Sequence, residues 1–304
     1  MWLKMPILEV KSLCKHYGEN HAIDDISFEL YSGQCLALLG PNGSGKTSTL
    51  ECIEGLREKT SGEILVNGKD INIKDKSFKN MLGIQLQAAA LPQEMTVLEA
   101  MELSCSYHGV DIRRDLLERF GLAPYEKKGF SKLSVGQQRK LMLAIAISHE
   151  PKILILDEPT AGLDVVSRNE LHLIIEELKA QDTAILLASH DMAEVERIAD
   201  HIAFISKGEI IKEGSPVDFT GEVGEEFKVS IKTMHNSLMK YETLDGAVKE
   251  IEFKENYTFI KAMDIEILLQ SIIQVIKDEK DSILDMRIER PSLEEEFIKI
   301  ISKE

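Results

Sequence analysis

Several short segments in the first two thirds of the chain consist entirely of apolar residues, among them residues 153–156 (ILIL) and residues 184–188 (AILLA). Uninterrupted apolar runs of this length are typical of strands that are buried on both faces of a parallel sheet. No apolar run approaches the roughly 20 residues that a membrane-spanning helix needs. The pattern therefore predicts an α/β domain with a parallel core and no membrane helix of its own.

Two further segments predict what surrounds this core. Residues 63–71 (EILVNGKDI) contain Asn67-Gly68 between two short segments, which favours a type I′ hairpin and hence an antiparallel β layer beside the parallel sheet. Thr96 and Glu99 form the pattern of a helix capping box. This box begins a helix-rich segment that extends to about Lys132, and we expect a helical subdomain over about residues 96–150.

The character of the sequence changes after residue 214. Residues 215–226 are rich in glycine and glutamate and predict a connector. Residues 227–231 and 248–253 alternate like half-buried strands, and apolar residues at 265, 268, 269, 272 and 276 share one face of a helix. A further strand is expected at 283–288, before a last helix capped at Ser292. The chain thus predicts a large domain, residues 1–218, and a small α+β domain, residues 219–304.

Charge and cysteine usage exclude some classes of function. The chain of 304 residues has 52 acidic and 36 basic side chains and a formal net charge of −16. This excess of acid argues against nucleic acid as the principal partner, because phosphate backbones are bound by lysine and arginine patches. Cys14, Cys35, Cys52 and Cys105 show no CxxC spacing, so neither a disulfide framework nor a zinc site is indicated. Polar residues near the amino terminus interrupt any signal-peptide core, so we expect a cytoplasmic protein.

A glycine-rich segment follows the apolar residues 35–39. It consists of Gly40, Pro41, Asn42, Gly43, Ser44, Gly45, Lys46, Thr47 and Ser48. The glycines allow backbone N–H groups to converge on phosphate oxygens at the start of a helix. Lys46 is placed to reach the β- and γ-phosphates and Thr47 to bind Mg²⁺. A glycine turn with a purely geometric role is the alternative, but Gly-Lys-Thr between a strand and a helix favours a nucleotide site.

Two acids, Asp157 and Glu158, follow the apolar segment 153–156 directly. Asp157 can bind Mg²⁺ through water, and Glu158 can polarise the water that attacks the γ-phosphate. Such a pair alone would also fit a solvated turn or a helix cap. Together with the phosphate loop it indicates a nucleotide hydrolase, although a GTPase, a kinase or a helicase would fit these two elements equally well.

The segment 133–138 (LSVGQQ) separates these classes. Ser134 and Gln137 form a capping box, so the helix that follows can direct its free N–H groups at an anion. The segment resembles the signature of ATP-binding cassette (ABC) proteins, which usually has glycine where Val135 stands. The resemblance implies that Ser134, Gly136 and Gln137 close over the γ-phosphate of ATP bound to another subunit. Two composite sites would then form in a head-to-tail dimer.

Four further positions match this family, whose resemblance covers about residues 7–214. The resemblance implies that Tyr17 stacks on adenine, although a core or surface tyrosine is the rival interpretation. It implies that Gln87 contacts Mg²⁺ and the attacking water, with Gln85 and Gln93 disfavoured by spacing. Asp164 would couple the two sites across the dimer. His190, which follows the apolar segment 184–188, would contact the γ-phosphate, and its imidazole can also hydrogen-bond Glu158.

The resemblance implies an ATP-binding and ATP-hydrolysing subunit that uses Mg²⁺. Its partners would be a second copy, or a closely related ATPase subunit, and separately encoded transmembrane permease subunits at the cytoplasmic face of the membrane. Residues 291–295 (PSLEE) resemble the C-terminal extension of type-2 exporter ATPases, which include drug and antibiotic exporters. The rival hypothesis is a soluble ABC-type ATPase with an assembly or regulatory role. The C-terminal domain has two possible roles: it only packs against the ATPase or its twin subunit, or it regulates the ATPase.

Overall fold

A computed structural model describes residues 5–70, 76–86, 91–220, 227–241, 244–246, 248–289 and 293–302. The chain divides into two compact units, Met1–Ser215 and Pro216–Glu304. Among the described residues, no helix combines the length and the apolar character needed to cross a membrane.

The described strands and helices are the following. The strands are β1 Leu8–Tyr17, β2 Asn20–Leu30, β3 Cys35–Leu39, β4 Ser61–Val66, β5 Lys69–Asp70, β6 Leu82–Gln85, β7 Ile153–Asp157, β8 Ala184–Ser189, β9 His201–Ser206, β10 Glu209–Gly214, β11 Phe227–Thr233, β12 Val248–Lys254, β13 Tyr257–Ala262 and β14 Ile283–Glu289. The helices are α1 Lys46–Glu54, α2 Lys76–Lys79, α3 Val97–His108, α4 Arg114–Arg119, α5 Val135–Ala146, α6 Val165–Ala180, α7 Met192–Ile198, α8 Pro216–Thr220, α9 Ile265–Asp278 and α10 Leu293–Ser302.

The core of the first unit is a six-stranded sheet in the order β10-β9-β3-β8-β7-β6. Strands β9, β3, β8, β7 and β6 run parallel, and β10 pairs with β9 in the antiparallel sense. Every residue of β3, β7 and β8 is buried, as expected for central strands covered on both faces. The predicted parallel core is confirmed. Because β7 and β8 are neighbours, the residues that follow them meet at one edge of the sheet.

A second, antiparallel sheet in the order β2-β1-β4-β5 lies beside this core. The turn between β4 and β5 has both Asn67 and Gly68 at positive φ, 50° and 72°, as a type I′ hairpin requires. Apolar residues of this layer, of α1 and of the parallel sheet form one continuous cluster that includes Leu8, Ile26 and Leu36. The antiparallel layer predicted from the Asn-Gly pair is confirmed.

The helical segment between β6 and β7 contains α3, α4 and α5. Helix α3 begins with the predicted capping box, in which Thr96 Oγ1 accepts from Glu99 N and the Glu99 carboxylate accepts from Thr96 N. Helix α5 begins with a second box formed by Ser134 and Gln137. Both helix starts are therefore fixed by their own sequence.

The second unit contains an antiparallel sheet in the order β12-β13-β11-β14. Its core includes Val229, Ile231 and Ile260 from the sheet and Leu268 and Ile272 from α9. The predicted strand near residue 283 is β14. Ser292, the predicted cap of the last helix, lies outside the described residues, and α10 is described from Leu293.

Candidate functional site

The phosphate loop connects the carboxyl end of β3 to the start of α1. Gly43 and Gly45 have φ angles of 79° and 114°, a region that residues with a side chain rarely adopt. A Cβ atom on Gly45 would lie 2.5 Å from the carbonyl oxygen of Ala22. The N-cap residue of α1 is Gly45, which has no side chain to cap the helix, so the N–H groups of the first turn can bind an anion.

A cavity of about 160 Å³ lies over this loop. It is lined by Ala22, Asn42, Gly43, Gly45, Lys46, Thr47, Ser48, Asp157 and Glu158. Two segments that are far apart in the sequence, the phosphate loop and the end of β7, therefore form one cavity. Gly40, Pro41 and Ser44 belong to the loop but do not line the cavity.

Lys46 is buried at the base of the loop. Its Nζ donates to the carbonyl oxygens of Gly40 at 2.6 Å and Pro41 at 3.1 Å. Burial lowers the pKa of the Lys46 ammonium, and the carboxylates of Glu158 and Asp157 oppose that shift. The ammonium is thus held at the loop, close to two acids.

Asp157 and Glu158 are both buried at the end of β7. Burial and, to a smaller extent, the charge of Glu158 raise the pKa of Asp157 to about 6, against the opposing effect of Lys46. Glu158 has the left-handed φ angle of 49°, and its N–H donates to the carbonyl of Ala188 at 2.9 Å. A strained backbone at a carboxylate that lines a cavity is a frequent feature of catalytic positions.

His190 follows β8 and contacts Glu158. The imidazole Nδ1 lies 2.6 Å from Oε1 of Glu158. An ionised carboxylate can only accept a hydrogen bond, so Nδ1 carries the proton in this pair. The His190 side chain is 60% exposed and does not itself line the cavity. The hydrogen bond between His190 and Glu158 that the sequence allows is therefore present at the ends of β7 and β8.

The turn that holds His190 contains a residue that sequence reasoning missed. Glu194 is buried, and its carboxylate accepts from Ser189 Oγ at 2.6 Å. The same Oγ accepts from Asp191 N at 3.1 Å, and Asp191 Oδ1 accepts from Glu194 N. The pattern Asp191-x-x-Glu194 at the start of α7 resembles a capping box and could have revealed this network. These bonds fix the backbone on both sides of His190.

The signature residues Ser134, Gly136 and Gln137 lie away from the phosphate-loop cavity. Ser134 Oγ accepts from Gln137 N at 3.2 Å, and a Cβ on Gly136 would lie 3.1 Å from Ser167 Oγ. Ser167 N in turn donates to Asp164 Oδ1 at 2.9 Å. The signature and Asp164 therefore lie together, but none of these residues lines the phosphate-loop cavity of its own chain.

Tyr17 and Gln87 complete the predicted set. Tyr17 is partly exposed, with Lys15 Nζ at 4.9 Å and Arg57 Cζ at 5.6 Å from its ring centroid. It does not line the cavity. Gln87 lies outside the described residues. Gln85, which spacing disfavoured, is buried in β6.

Comparison with known proteins decides the family. Residues 23–161 match the ABC transporter family. The linearmycin resistance ATP-binding protein LnrL of Bacillus subtilis is 30% identical to this chain, over 98% of the chain and 99% of that protein. This chain belongs to the ABC transporter ATP-binding family. The ABC ATPase is also 34% identical to the lantibiotic transport ATP-binding protein SrtF of Streptococcus pyogenes, over 68% of the chain and 90% of that protein.

A solved structure supports the same assignment. A structure described as the ATP-binding subunit of an ABC transporter superposes on this ABC ATPase with a TM-score of 0.66 and 29% identity, covering 70% of this chain and 91% of that one. Members of the family bind and hydrolyse ATP. The ABC resemblance, the P-loop fold and the ATPase function predicted from the sequence are therefore confirmed.

Proposed function

We propose that this ABC ATPase hydrolyses ATP with Glu158 as the general base. The observation that carries the proposal is the position of Glu158, which lines the phosphate-loop cavity and hydrogen-bonds His190 at 2.6 Å. The N–H groups of Gly43 and Gly45 and the ammonium of Lys46 bind the phosphates. Glu158 then takes a proton from the water that attacks the γ-phosphate.

The residues around the cavity also fit Mg²⁺. The Thr47 hydroxyl and the Asp157 carboxylate both line the cavity, and oxygen atoms are the ligands that Mg²⁺ prefers. Asp157 and Glu158 lie side by side and buried, and a divalent cation offsets that concentration of negative charge. Bound Mg²⁺ neutralises charge on the phosphates. By the family resemblance, Gln87 is a further ligand.

His190 has two roles in this proposal. Its Nδ1–H holds the Glu158 carboxylate in one orientation, which keeps the base aligned with its water. Because Nδ1 directs its hydrogen at Glu158, Nε2 of a neutral imidazole accepts a hydrogen bond from a group at the γ-phosphate such as the attacking water, and only an imidazolium could donate to a phosphate oxygen. Tyr17 stacks on adenine, in competition with the cations that now cover its ring.

A second subunit completes the site. Ser134, Gly136 and Gln137 do not line the cavity of their own chain, and the neighbouring Val135 is 53% exposed. In a head-to-tail dimer, with a copy of this chain or a closely related ATPase, the start of α5 faces the γ-phosphate held by the partner. Asp164 lies next to this helix start and couples the two sites.

The ATPase drives export through separately encoded transmembrane permease subunits at the cytoplasmic face of the membrane. The name of the full-length relative, a linearmycin resistance ATP-binding protein, supports export of a drug-like molecule. That alignment covers almost the entire chain and therefore extends into the C-terminal unit. We assign residues 219–304 as an accessory α+β domain of this exporter ATPase.

Replacing Glu158 by glutamine tests the assigned base. Glu158→Gln keeps the size of the side chain but cannot accept the proton, so we expect ATP turnover to fall by at least about 100-fold while ATP binding is retained. Glu196→Gln, at an exposed position of α7, is the matched control and should keep full turnover. Turnover in Glu158→Gln equal to that of the wild type would remove Glu158 from this role.

Co-purification tests the transport role separately. The chain should be recovered from its own cells together with a polytopic membrane protein, and Glu158→Gln should be recovered with the same partner. ATP hydrolysis without any membrane partner would favour the rival hypothesis of a soluble ATPase with an assembly or regulatory role.

A further inference from the structure

A β-bulge brings two parts of the antiparallel layer together near the amino end of the chain. Leu13 pairs with Ile26 and Lys15 with Ile23, so a single residue of β1, Cys14, lies opposite two residues of β2. Those two residues are Asp24 and Asp25, and Asp25 has the left-handed φ angle of 59°. Bulges of this kind redirect side chains away from the regular alternation of a strand.

The bulge collects three side chains with metal-binding atoms. Sγ of Cys14, a ring nitrogen of His16 and a carboxylate oxygen of Asp24 all lie within 4.8 Å of one another. His16 Nε2 is buried and has no hydrogen-bond partner among the described residues, and burying an unpaired polar atom costs free energy. A metal with ligand bonds of about 2.0–2.3 Å can bridge such a cluster after small side-chain movements.

A second histidine supports this cluster. The His21 ring stacks on His16, with centroids 3.8 Å apart and an interplanar angle of 9°. Its Nδ1 lies 3.5 Å from Oδ2 of Asp24. Residues that hydrogen-bond a ligand carboxylate or hold a ligand ring in place raise metal affinity in known sites. His21 stacks on the ring of His16 and lies beside the carboxylate of Asp24.

We propose that Cys14, His16 and Asp24 bind a Zn²⁺ ion. A thiolate, an imidazole and a carboxylate are the three ligand types that Zn²⁺ accepts, with a tetrahedral arrangement and one position left for water. The same set is unsuitable for Mg²⁺, which selects oxygen ligands, so this site is chemically distinct from the proposed magnesium position beside Thr47. The Asp24 side chain is 44% exposed, which gives an ion access from solvent.

Backbone hydrogen bonds connect the proposed zinc site to the nucleotide cavity. Asp24 N donates to Gly208 O at 2.8 Å, and Gly208 N donates to Ser44 O in the phosphate loop at 2.9 Å. Ala22, between His21 and Asp24, lines the cavity itself. A zinc ion at the bulge therefore braces the β2 segment that forms one wall of the nucleotide site.

The test is a Zn²⁺ titration of the full chain, without an affinity tag, in competition with a chromogenic chelator and in the absence of nucleotide. We expect one Zn²⁺ per chain and an affinity that falls at least about tenfold in Cys14→Ser and in Asp24→Asn. Asp25→Asn is the matched control, because it removes the same charge from the same bulge without removing a proposed ligand. Its affinity should equal that of the wild type.

Co²⁺ provides an independent readout of the sulfur ligand. The wild type and Asp25→Asn should show a sulfur-to-cobalt charge-transfer band that Cys14→Ser lacks. Circular dichroism in the presence of chelator should show that all variants are folded. A wild type that binds no Zn²⁺ at micromolar concentration, or a Cys14→Ser variant with unchanged affinity, would overturn the proposal.

Discussion

Nδ1 of His190 lies 2.6 Å from Oε1 of Glu158, although 31 residues separate the two in the sequence. The contact exists because β7 and β8 are parallel neighbours and each strand delivers one of these residues at its carboxyl end. The left-handed backbone at Glu158 and the Ser189–Glu194 hydrogen bond hold the two ends in place. The hydrogen bond from His190 therefore fixes the orientation of the Glu158 carboxylate.

Replacing His190 by alanine should therefore impair hydrolysis more than binding. Without the imidazole, the Glu158 carboxylate loses its partner and its fixed orientation, and we expect ATP turnover to fall by about 10²–10⁴-fold. Affinity for a fluorescent ATP analogue should change only a few-fold, because Lys46 and the phosphate loop are unaffected. His235→Ala, at an exposed position of the second unit, is the control. Equal turnover in both variants would contradict the assigned role of His190.

Gly45 should tolerate no side chain. Gly45→Ala requires a φ angle near 114° and places Cβ 2.5 Å from Ala22 O, so we expect it to lower the free energy of unfolding by roughly 2–4 kcal/mol and to weaken ATP binding. Gly18→Ala also falls at positive φ, but its Cβ would have no atom of the described residues within 4 Å, and it should cost only about 1 kcal/mol. Urea denaturation measures both. If the Gly45→Ala variant were as stable as Gly18→Ala, the close approach between residue 45 and the carbonyl oxygen of Ala22 would be refuted.

Glu54 should make stability depend on pH. It is the buried last residue of α1, and burial, followed by the charges of Asp157 and Glu51, raises its pKa from 4.5 to about 7. Between these two values the folded protein binds more protons than the unfolded chain, so this residue lowers the stability as pH rises from about 4.5 to about 7.

Glu54→Gln removes that titration. We expect the variant to exceed the wild type in free energy of unfolding by about 1–3 kcal/mol at pH 8 and to match it at pH 4. Glu58→Gln, four residues beyond the end of α1 and exposed, should show no such difference at either pH. A constant offset between Glu54→Gln and the wild type across this range would show that the Glu54 carboxyl is not perturbed.

The two capping boxes allow a matched test of the signature. Ser134→Ala and Thr96→Ala each remove one side-chain cap of the same kind, so each should cost about 1 kcal/mol of stability. Only Ser134 belongs to the proposed interface with the γ-phosphate. We therefore expect ATP-dependent dimerisation of the Glu158→Gln protein to be weakened by Ser134→Ala and unaffected by Thr96→Ala. Light scattering or sedimentation can measure this, and equal effects of both changes would contradict the interface.

Much of the fold could be predicted because it depends on local patterns. The apolar segments 153–156 and 184–188 have the length of buried strands, the Asn67-Gly68 pair favours a type I′ turn, and Thr96 and Ser134 each supply their own cap. The glycines, lysine and threonine of the phosphate loop likewise imply their chemistry through their spacing. The Asp191-x-x-Glu194 pattern could have indicated a cap at the start of α7, but not that the Glu194 carboxylate is buried and bonded to Ser189, because that contact depends on tertiary packing.

The sequence by itself determined the type of chemistry, since Gly40–Thr47, Asp157, Glu158 and the signature carry functional groups that ATP hydrolysis needs. Tertiary structure alone decided which of these groups meet. It joined Glu158 to His190 and kept the signature away from the cavity of its own chain. It also brought Cys14 to Asp24, which no cysteine spacing could indicate. The physical reason is that strand order, register and bulges depend on long-range pairing, which local sequence patterns do not encode.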